Sequence, residues 1–395
     1  MRDTGPAETP APMERTPAGR AAAAGRPRLA VDVRAVLDEP TGIGVYTRAL
    51  LTELARRGGF DLVAMAHRPP RHDGWLREHG IHFETQPAPY GLLWQQLQLP
   101  RRLRRGDVDL FWSPLQTLPL FGDTPAVVTV HDLTTLLLPE THRLKVRVTQ
   151  IPFLARSLAR ARRVVAISES TAADVRHFYP EAADRLRVIL PGVDPRFAPA
   201  TAEVVAAKRR ELGCPDGYVL YAGTLEPRKN VGLLVDAWLA LREERAELPS
   251  LLLAGGYGWK SRELQARLEG LADQGVRLLG RLDDSEYLRV LQAARCFVYP
   301  SLYEGFGLPA AEALACGVPT IVADTSSLPE VVGDAALLVD PHDPGTLADA
   351  LRRLLEDPVL AADLAARGPR QAARFSWERS AEQLEGVLRE ALACP

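Results

Sequence analysis

From Leu29 onward the chain alternates between two rhythms. Short apolar, β-rich runs such as Leu29–Val33, Ala126–Val130 and Val164–Ile167 are separated by segments with apolar residues at helical spacing, such as Val45–Arg57 and Leu144–Ala161. This alternation predicts βαβ units on a parallel sheet. The rhythm stops at Leu190–Pro199, where three prolines and a glycine in ten positions resist both helix and strand, and a domain boundary is expected there. A second series follows, with strands at Tyr218–Ala222, Leu251–Ala254, Val276–Leu279, Phe297–Pro300 and Thr320–Val322 and helices beginning near Val231, Lys260, Asp283 and Pro309. After Asp340 the pattern is helical, over Pro344–Glu356, Leu360–Arg367 and Trp377–Ala393. The fold class expected is α/β, with Rossmann-like domains over 28–193 and 194–375 and a final helical stretch, 376–395, packing back on the first domain. Ligands of such sheets bind outside the carboxyl ends of the strands, so each motif is weighed by whether it follows a strand.

Composition narrows this picture. With 46% hydrophobic and 25% charged residues over 395 positions, the chain is an ordinary globular protein of two or three domains, which excludes a disordered or collagen-like chain. Residues 1–27 mix Pro, Ala, Gly and Arg without periodicity and are expected to form a disordered tail. No window approaches the roughly 18 apolar residues of a membrane span, and the N-terminus offers only Ala21–Ala24 as an apolar core, so a soluble, cytoplasmic chain is expected. Cys214, Cys296, Cys316 and Cys394 are scattered, without a Cys-x-x-Cys pair or clustered histidines, and read as free thiols, not as disulfides or a zinc site.

Residues 1–200 carry 27 Lys+Arg against 21 Asp+Glu, which leaves 21 against 29 for residues 201–395, so the halves are +6 and −8. The basic residues lack the interleaved aromatics of a nucleic-acid binder. They concentrate at Arg101, Arg102, Arg104 and Arg105 and at Arg156, Arg160, Arg162 and Arg163. Solvated helix faces are the commoner meaning of such runs; peripheral contact with an anionic membrane is the functional one.

Four constellations carry candidate chemistry. In Tyr299–Leu314, Glu304, Gly305, Phe306, Gly307 and Leu308 follow a strand and open a helix, with Pro309 suited to its first turn and Glu312 about one turn in. The glycines admit a ligand to the backbone, and the two carboxylates can accept from the paired hydroxyls of a sugar or ribose. Next, Tyr221–Asn230 places Gly223 after a strand and the adjacent cations Arg228 and Lys229 before a helix that Asn230 would cap, an arrangement suited to a diphosphate. Thr41-Gly42-Ile43-Gly44 links the first strand to the first helix with small residues near which a phosphate could sit. His131 ends another strand. Asp107-Val-Asp109 invites comparison with an Asp-x-Asp metal motif, but it begins a hydrophobic strand with no further ligands nearby, so no metal is expected.

On these residues the chain resembles glycosyltransferase family four, whose members have the two-domain GT-B fold. The resemblance covers Leu29 to Ala393. Its most specific part is the Glu-x7-Glu signature Glu304–Glu312, followed by Ala315-Cys-Gly317-Val-Pro319 and Leu328-Pro-Glu330-Val-Val. It implies retaining transfer of a sugar from a nucleoside diphosphate sugar, without metal or other cofactor, by front-face attack in which the leaving phosphate helps deprotonate the acceptor. It further implies that Glu304 contacts the donor sugar beside His131, that Glu312 holds the ribose, and that Arg228 and Lys229 bind the diphosphate near Gly44. Gly280, Arg281 and Leu282 would border the base. Many members have an arginine where this chain has Thr224, so one phosphate contact is in question. The run Gly223-Thr-Leu-Glu-Pro-Arg-Lys-Asn230 is similar to bacterial polysaccharide mannosyl- and hexosyltransferases. That makes GDP-mannose the first donor expected, then a UDP-hexose, with a glycan or lipid-linked acceptor. The competing readings are a catalytically silent nucleotide-sugar-binding or assembly protein and a GT-B sugar-nucleotide epimerase or phosphorylase.

Overall fold

The computed structural model of the chain describes residues 25–38, 41–141, 144–245 and 247–394. The tail expected over 1–27 lies, apart from its last three residues, outside them.

Two parallel sheets form. The first contains β1 (Arg28–Asp32), β2 (Asp61–Ala66), β3 (His82–Thr85), β4 (Leu110–Ser113), β5 (Ala126–Val130), β6 (Arg163–Ala166) and β7 (Leu186–Val188), in the order β3-β2-β1-β4-β5-β6-β7. The second contains β8 (Tyr218–Ala222), β9 (Ser250–Ala254), β10 (Val276–Gly280), β11 (Cys296–Tyr299), β12 (Thr320–Ala323) and β13 (Ala336–Val339), in the order β10-β9-β8-β11-β12-β13. The central strands are apolar on both faces because helices cover both sides: Val219–Tyr221 and Leu251–Leu253 have no exposed surface. Each sheet reverses direction beside its first strand, which opens a crevice at the carboxyl edge.

The helices bury one stripe each. In Val231–Glu244 the buried positions are Val231, Leu234, Val235, Ala237, Trp238 and Leu241, the spacing of a helix with one covered face. The C-terminal helix Trp377–Ala393 belongs by sequence to the second half but packs on the first. It lies along the helix Gly42–Arg57, with Arg57 on Glu385 at 2.7 Å and Arg163 on Glu390 at 2.9 Å. It begins where the inter-domain linker crosses it. A Cβ on Gly192 would stand 2.1 Å from the Trp377 amide nitrogen, so only glycine lets the two strands of chain pass.

Several expectations change. The first helix begins at Gly42, not Val45, so Gly42 and Gly44 form its opening turn instead of a connecting loop. Strand β13, which was not foreseen, ends the second sheet. Four of the eight arginines expected on a basic surface are spent inside the molecule. Arg102 is buried between Glu84 (2.6 Å) and Asp107 (2.6 Å), Arg160 donates to the carbonyls of Pro119 and Gly122, Arg162 to that of Ala391, and Arg163 meets Glu390. Asp107 and Asp109 are likewise taken, the first by Arg28 and Arg102 and the second by the Arg28 amide at 2.7 Å.

Candidate active site

Loops leaving the carboxyl ends of the strands converge between the sheets. All four non-glycine residues with positive φ among the described residues sit on them: Gln116 after β4, Asn230 after β8, Lys260 after β9 and Ser326 after β12. Backbone strain concentrated this way marks positions fixed by their surroundings.

At the centre of the second sheet four charges are buried together. Lys229 Nζ donates to Glu304 Oε1 and to Tyr299 Oη, both at 2.6 Å, and lies 5.0 Å from the Tyr299 ring centre. Arg228 reaches Glu304 Oε2 at 3.3 Å, Glu226 Oε1 at 3.0 Å and the Tyr303 carbonyl at 2.7 Å. Burial alone would raise the Glu304 carboxyl, but the Lys229 and Arg228 charges overcome it and hold that group at about 2. Burial pulls the Lys229 ammonium down from its ordinary value against the opposing Glu304 charge, and it raises the Glu226 carboxyl despite Arg228. The cluster carries two positive and two negative groups, so an arriving anion must compete with carboxylates already in place.

Glu304 is held by its own loop. Its amide donates to Ser326 Oγ at 2.9 Å, while Ser327 Oγ donates to the carbonyls of Glu304 (2.9 Å) and Phe306 (2.8 Å). Gly307, at φ +101°, occupies the N-cap of Leu308–Ala315 with Pro309 in the first turn. The ring of Phe306 turns into the core edge-on to Phe375, with centroids 5.2 Å apart. Asn230 sits at the N-cap of its helix, but its side chain donates to the Pro341 carbonyl at 2.7 Å and leaves the helix end uncapped. Gly223, at φ +156°, and Gly255 pack so closely that a Cβ on Gly255 would meet the Gly223 oxygen at 1.9 Å.

The first domain closes over this cluster. A Cβ on Gly305 would lie 1.8 Å from the His131 carbonyl oxygen, and Thr171 Oγ1 donates toward both the His131 (3.2 Å) and Gly305 (3.3 Å) carbonyls. Glu330 accepts from the Glu169 and Ser170 amides at the start of Glu169–Phe178, and Tyr303 donates to Asp174. His131 is buried, its Nε2 2.6 Å from the Pro114 carbonyl and its ring edge-on to Tyr46; burial lowers its pKa despite that bond. The His131 backbone thus forms part of the seam between the domains, while its ring is buried within the first domain.

Glu312 lies apart from the charge cluster. Its Oε2 accepts from the Tyr287 hydroxyl at 2.7 Å, and burial raises its carboxyl to about 7. With Leu308, Tyr287, Arg196, Val45 and Arg48 it lines an inter-domain cleft of about 1340 Å³, whose wall includes neither Lys229 nor Glu304. Gly44 lies buried in the opening turn of the helix that supplies Val45. Gly280, at φ +69°, ends β10 and is exposed, as is Arg281 after it, with Leu282 half-buried before Asp283, which caps the next helix through the Glu286 amide at 2.9 Å.

Sequence reasoning missed Tyr299, Glu226, Ser326, Ser327 and Thr171. Tyr299 and Glu226 stood within the quoted runs, and position at a strand end was the available signal. The serines and Thr171 carry none, since what they hold is backbone from distant segments.

Comparison with known proteins bears on this geometry. The family described as "Glycosyltransferase Family 4" matches residues 40–197, and that described as "Glycosyl transferases group 1" matches 207–371. The O-antigen chain mannosyltransferase B of Escherichia coli is 36% identical over 318 residues, 80% of this chain and 76% of the relative. The chain belongs to glycosyltransferase family 4. The family 4 assignment extends over nearly the whole length, for the D-inositol 3-phosphate glycosyltransferase of Saccharomonospora viridis is 32% identical over 389 residues, 89% of this chain and 90% of the relative. The fold is GT-B. The crystal structure of Anabaena HepE in complex with UDP and glucose superposes with a TM-score of 0.70 at 21% identity, covering 92% of this chain and all of that one. In this family 4 transferase with two facing parallel-sheet domains, the Arg228–Lys229–Glu304–Glu226 cluster lies on the domain matched at 207–371.

Proposed function

We propose that this family 4 enzyme transfers a hexose, with retention at the anomeric carbon, from a nucleoside diphosphate sugar to a hydroxyl of a glycan or lipid-linked acceptor. Mannose from GDP-mannose is the first choice, then a UDP-hexose; likeness to an O-antigen mannosyltransferase supports that order. The observation that carries the reading is the buried Arg228–Lys229–Glu304 cluster, sealed against His131 at the carboxyl ends of both sheets.

In this reading the diphosphate takes the free side of the two cations. Breaking the bond between the anomeric carbon and the phosphate oxygen moves an electron pair onto that oxygen, where Arg228 and Lys229 stabilise it. The acceptor oxygen bonds to the anomeric carbon from the same face and passes its proton to the departing phosphate. Glu304, ionised at neutral pH, faces the sugar and balances the positive charge developing on its ring, while Glu312 accepts from the ribose hydroxyls. Leu308 and Gly307 border the phosphates, and Gly280–Leu282 border the base. Two fixed cations supply the charge that a divalent metal supplies elsewhere, so the reaction is proposed to run without one.

The test pairs a thermal-shift panel of GDP-mannose, UDP-glucose, UDP-N-acetylglucosamine, GDP and UDP, with and without chelator, with NMR of the transferred sugar. Stabilisation by one nucleotide series, indifferent to chelator, and a product with the donor's anomeric configuration are expected. Inversion would overturn the mechanism, and loss of activity with chelator would overturn metal independence.

A further inference from the structure

Away from the cleft, one face of the first domain carries side chains that its fold leaves uncovered. The helical run 91–103 turns Trp94, Gln95, Leu99 and Leu103 inward and leaves Leu92, Leu93 and Leu97 outward, with Tyr90 at its start 70% exposed. Phe121, 73% exposed, joins the same face, because Gln96 accepts from the Leu120 amide at 2.8 Å and donates to the Leu118 carbonyl. Of the twelve large apolar residues exposed among the described ones, these five share one surface.

A basic rim adjoins it. Arg101 lies one turn beyond Leu97, with Arg104 and Arg105 after it, all exposed. Arg156 stands on Leu144–Arg160 beside Ser157, whose Oγ accepts from the Leu118 amide at 2.8 Å, so this fourth exposed arginine borders the Phe121 loop. Among the described residues none of the four is ion-paired with a carboxylate, and Asp123 is the single acidic residue across 90–105, 118–124 and 151–160. A pocket of about 320 Å³ opens at the same edge, lined by Leu92, Leu115, Gln116, Thr135, Phe153 and Leu154; Gln116 donates to the Asp132 carbonyl beside His131.

An apolar patch with aromatic residues at its ends and unpaired arginines along one side combines the two attractions that hold a protein at an anionic bilayer. A protein partner would need matching carboxylates and a complementary shape, whereas a bilayer supplies both charge and apolar depth without either. We propose that the surface formed by Tyr90, Leu92, Leu93, Leu97 and Phe121, with Arg101, Arg104, Arg105 and Arg156, seats the enzyme on an anionic bilayer, with the 320 Å³ pocket facing an acceptor held at that interface. This inference is independent of which donor is used.

Co-sedimentation of the full chain with vesicles of equal phosphatidylglycerol and phosphatidylcholine tests it, alongside vesicles of phosphatidylcholine alone. Binding to the anionic vesicles should weaken by about a hundredfold in the triple variant Arg101→Glu, Arg104→Glu, Arg105→Glu. It should weaken by about tenfold in Leu93→Ser with Leu97→Ser, which removes apolar contact at unchanged charge. These side chains are exposed, so circular dichroism and melting temperature should match the parent. Three results would overturn the proposal: no binding by the parent chain in low salt, equal binding to neutral vesicles, or variants that bind as the parent does. Sedimentation velocity showing a dimer that the leucine variant dissolves would assign the patch to a second copy instead.

Discussion

At the carboxyl end of the second sheet, two carboxylates and two cations are packed within hydrogen-bonding distance and largely buried. At the same end of the first sheet the groups are a histidine bonded to a carbonyl, amides, hydroxyls and the pair of Arg34 with buried Asp32 at 2.7 Å. Four buried charges are costly to assemble unless each has a partner, and here Glu304 pairs with both cations while Glu226 pairs with Arg228. The first sheet carries no comparable four-charge cluster at that end among the described residues. The contrast teaches that the two walls differ in kind: a four-membered charge cluster on one, and hydrogen-bonding groups with a single ion pair on the other; under the proposed function, the charged wall meets the donor and the other the acceptor.

The sharpest way to break this comparison is Lys229→Ala. Turnover should fall by about a hundredfold to a thousandfold while the melting temperature falls only modestly; equal losses would reduce the lysine to a structural role. Gly305→Ala comes next, because its Cβ would occupy the space of the His131 oxygen. The two walls would part, turnover should drop by about a hundredfold, and small-angle scattering should show a more open particle. Glu304→Gln should also abolish most turnover, yet bind the free nucleoside diphosphate no more weakly than the parent, since removing the internal anion frees both cations. Weaker diphosphate binding in calorimetry would contradict the competition described above.

The two signature carboxylates titrate in opposite senses. Glu304, held at about 2 against an ordinary 4.5, contributes stability that is present above pH 4.5 and lost as pH falls towards 2. Glu312, raised to about 7, keeps a proton in the folded chain that the unfolded chain has released. Its contribution therefore declines as pH rises from 4.5 to 7. If ionised Glu312 accepts from the ribose, donor affinity should rise by about tenfold between pH 6 and pH 8, and Glu312→Gln should flatten that profile. The smallest effect is expected on the other wall, where Gln116→Ala should raise the acceptor KM by less than about tenfold and leave donor binding unchanged.

Much of this was legible in the chain. The strand at Tyr218–Ala222 and the final helix at Trp377–Ala393 lie where periodicity puts them, and the runs around Lys229 and Glu304 end at the sheet edge as their strand context requires. What could not be read was pairing across distance. Spacing shows that Lys229 and Glu304 each follow a strand, not that residues 75 positions apart share a hydrogen bond. The same holds for Arg102, whose carboxylate partners come from two other segments, so that an apparently solvated arginine is buried. Strand β13, Ala336–Val339, is a partly exposed edge strand that was not foreseen, and Asn230 found a carbonyl more than a hundred residues away in place of its own helix.

The most direct test of the central claim is calorimetric titration of GDP-mannose and UDP-glucose into the parent enzyme and into Lys229→Ala. If the buried cluster is the diphosphate site, one donor binds the parent and its affinity falls by about tenfold or more in the variant, with the fold intact. Unchanged affinity in a folded Lys229→Ala enzyme would place the diphosphate elsewhere and contradict the account.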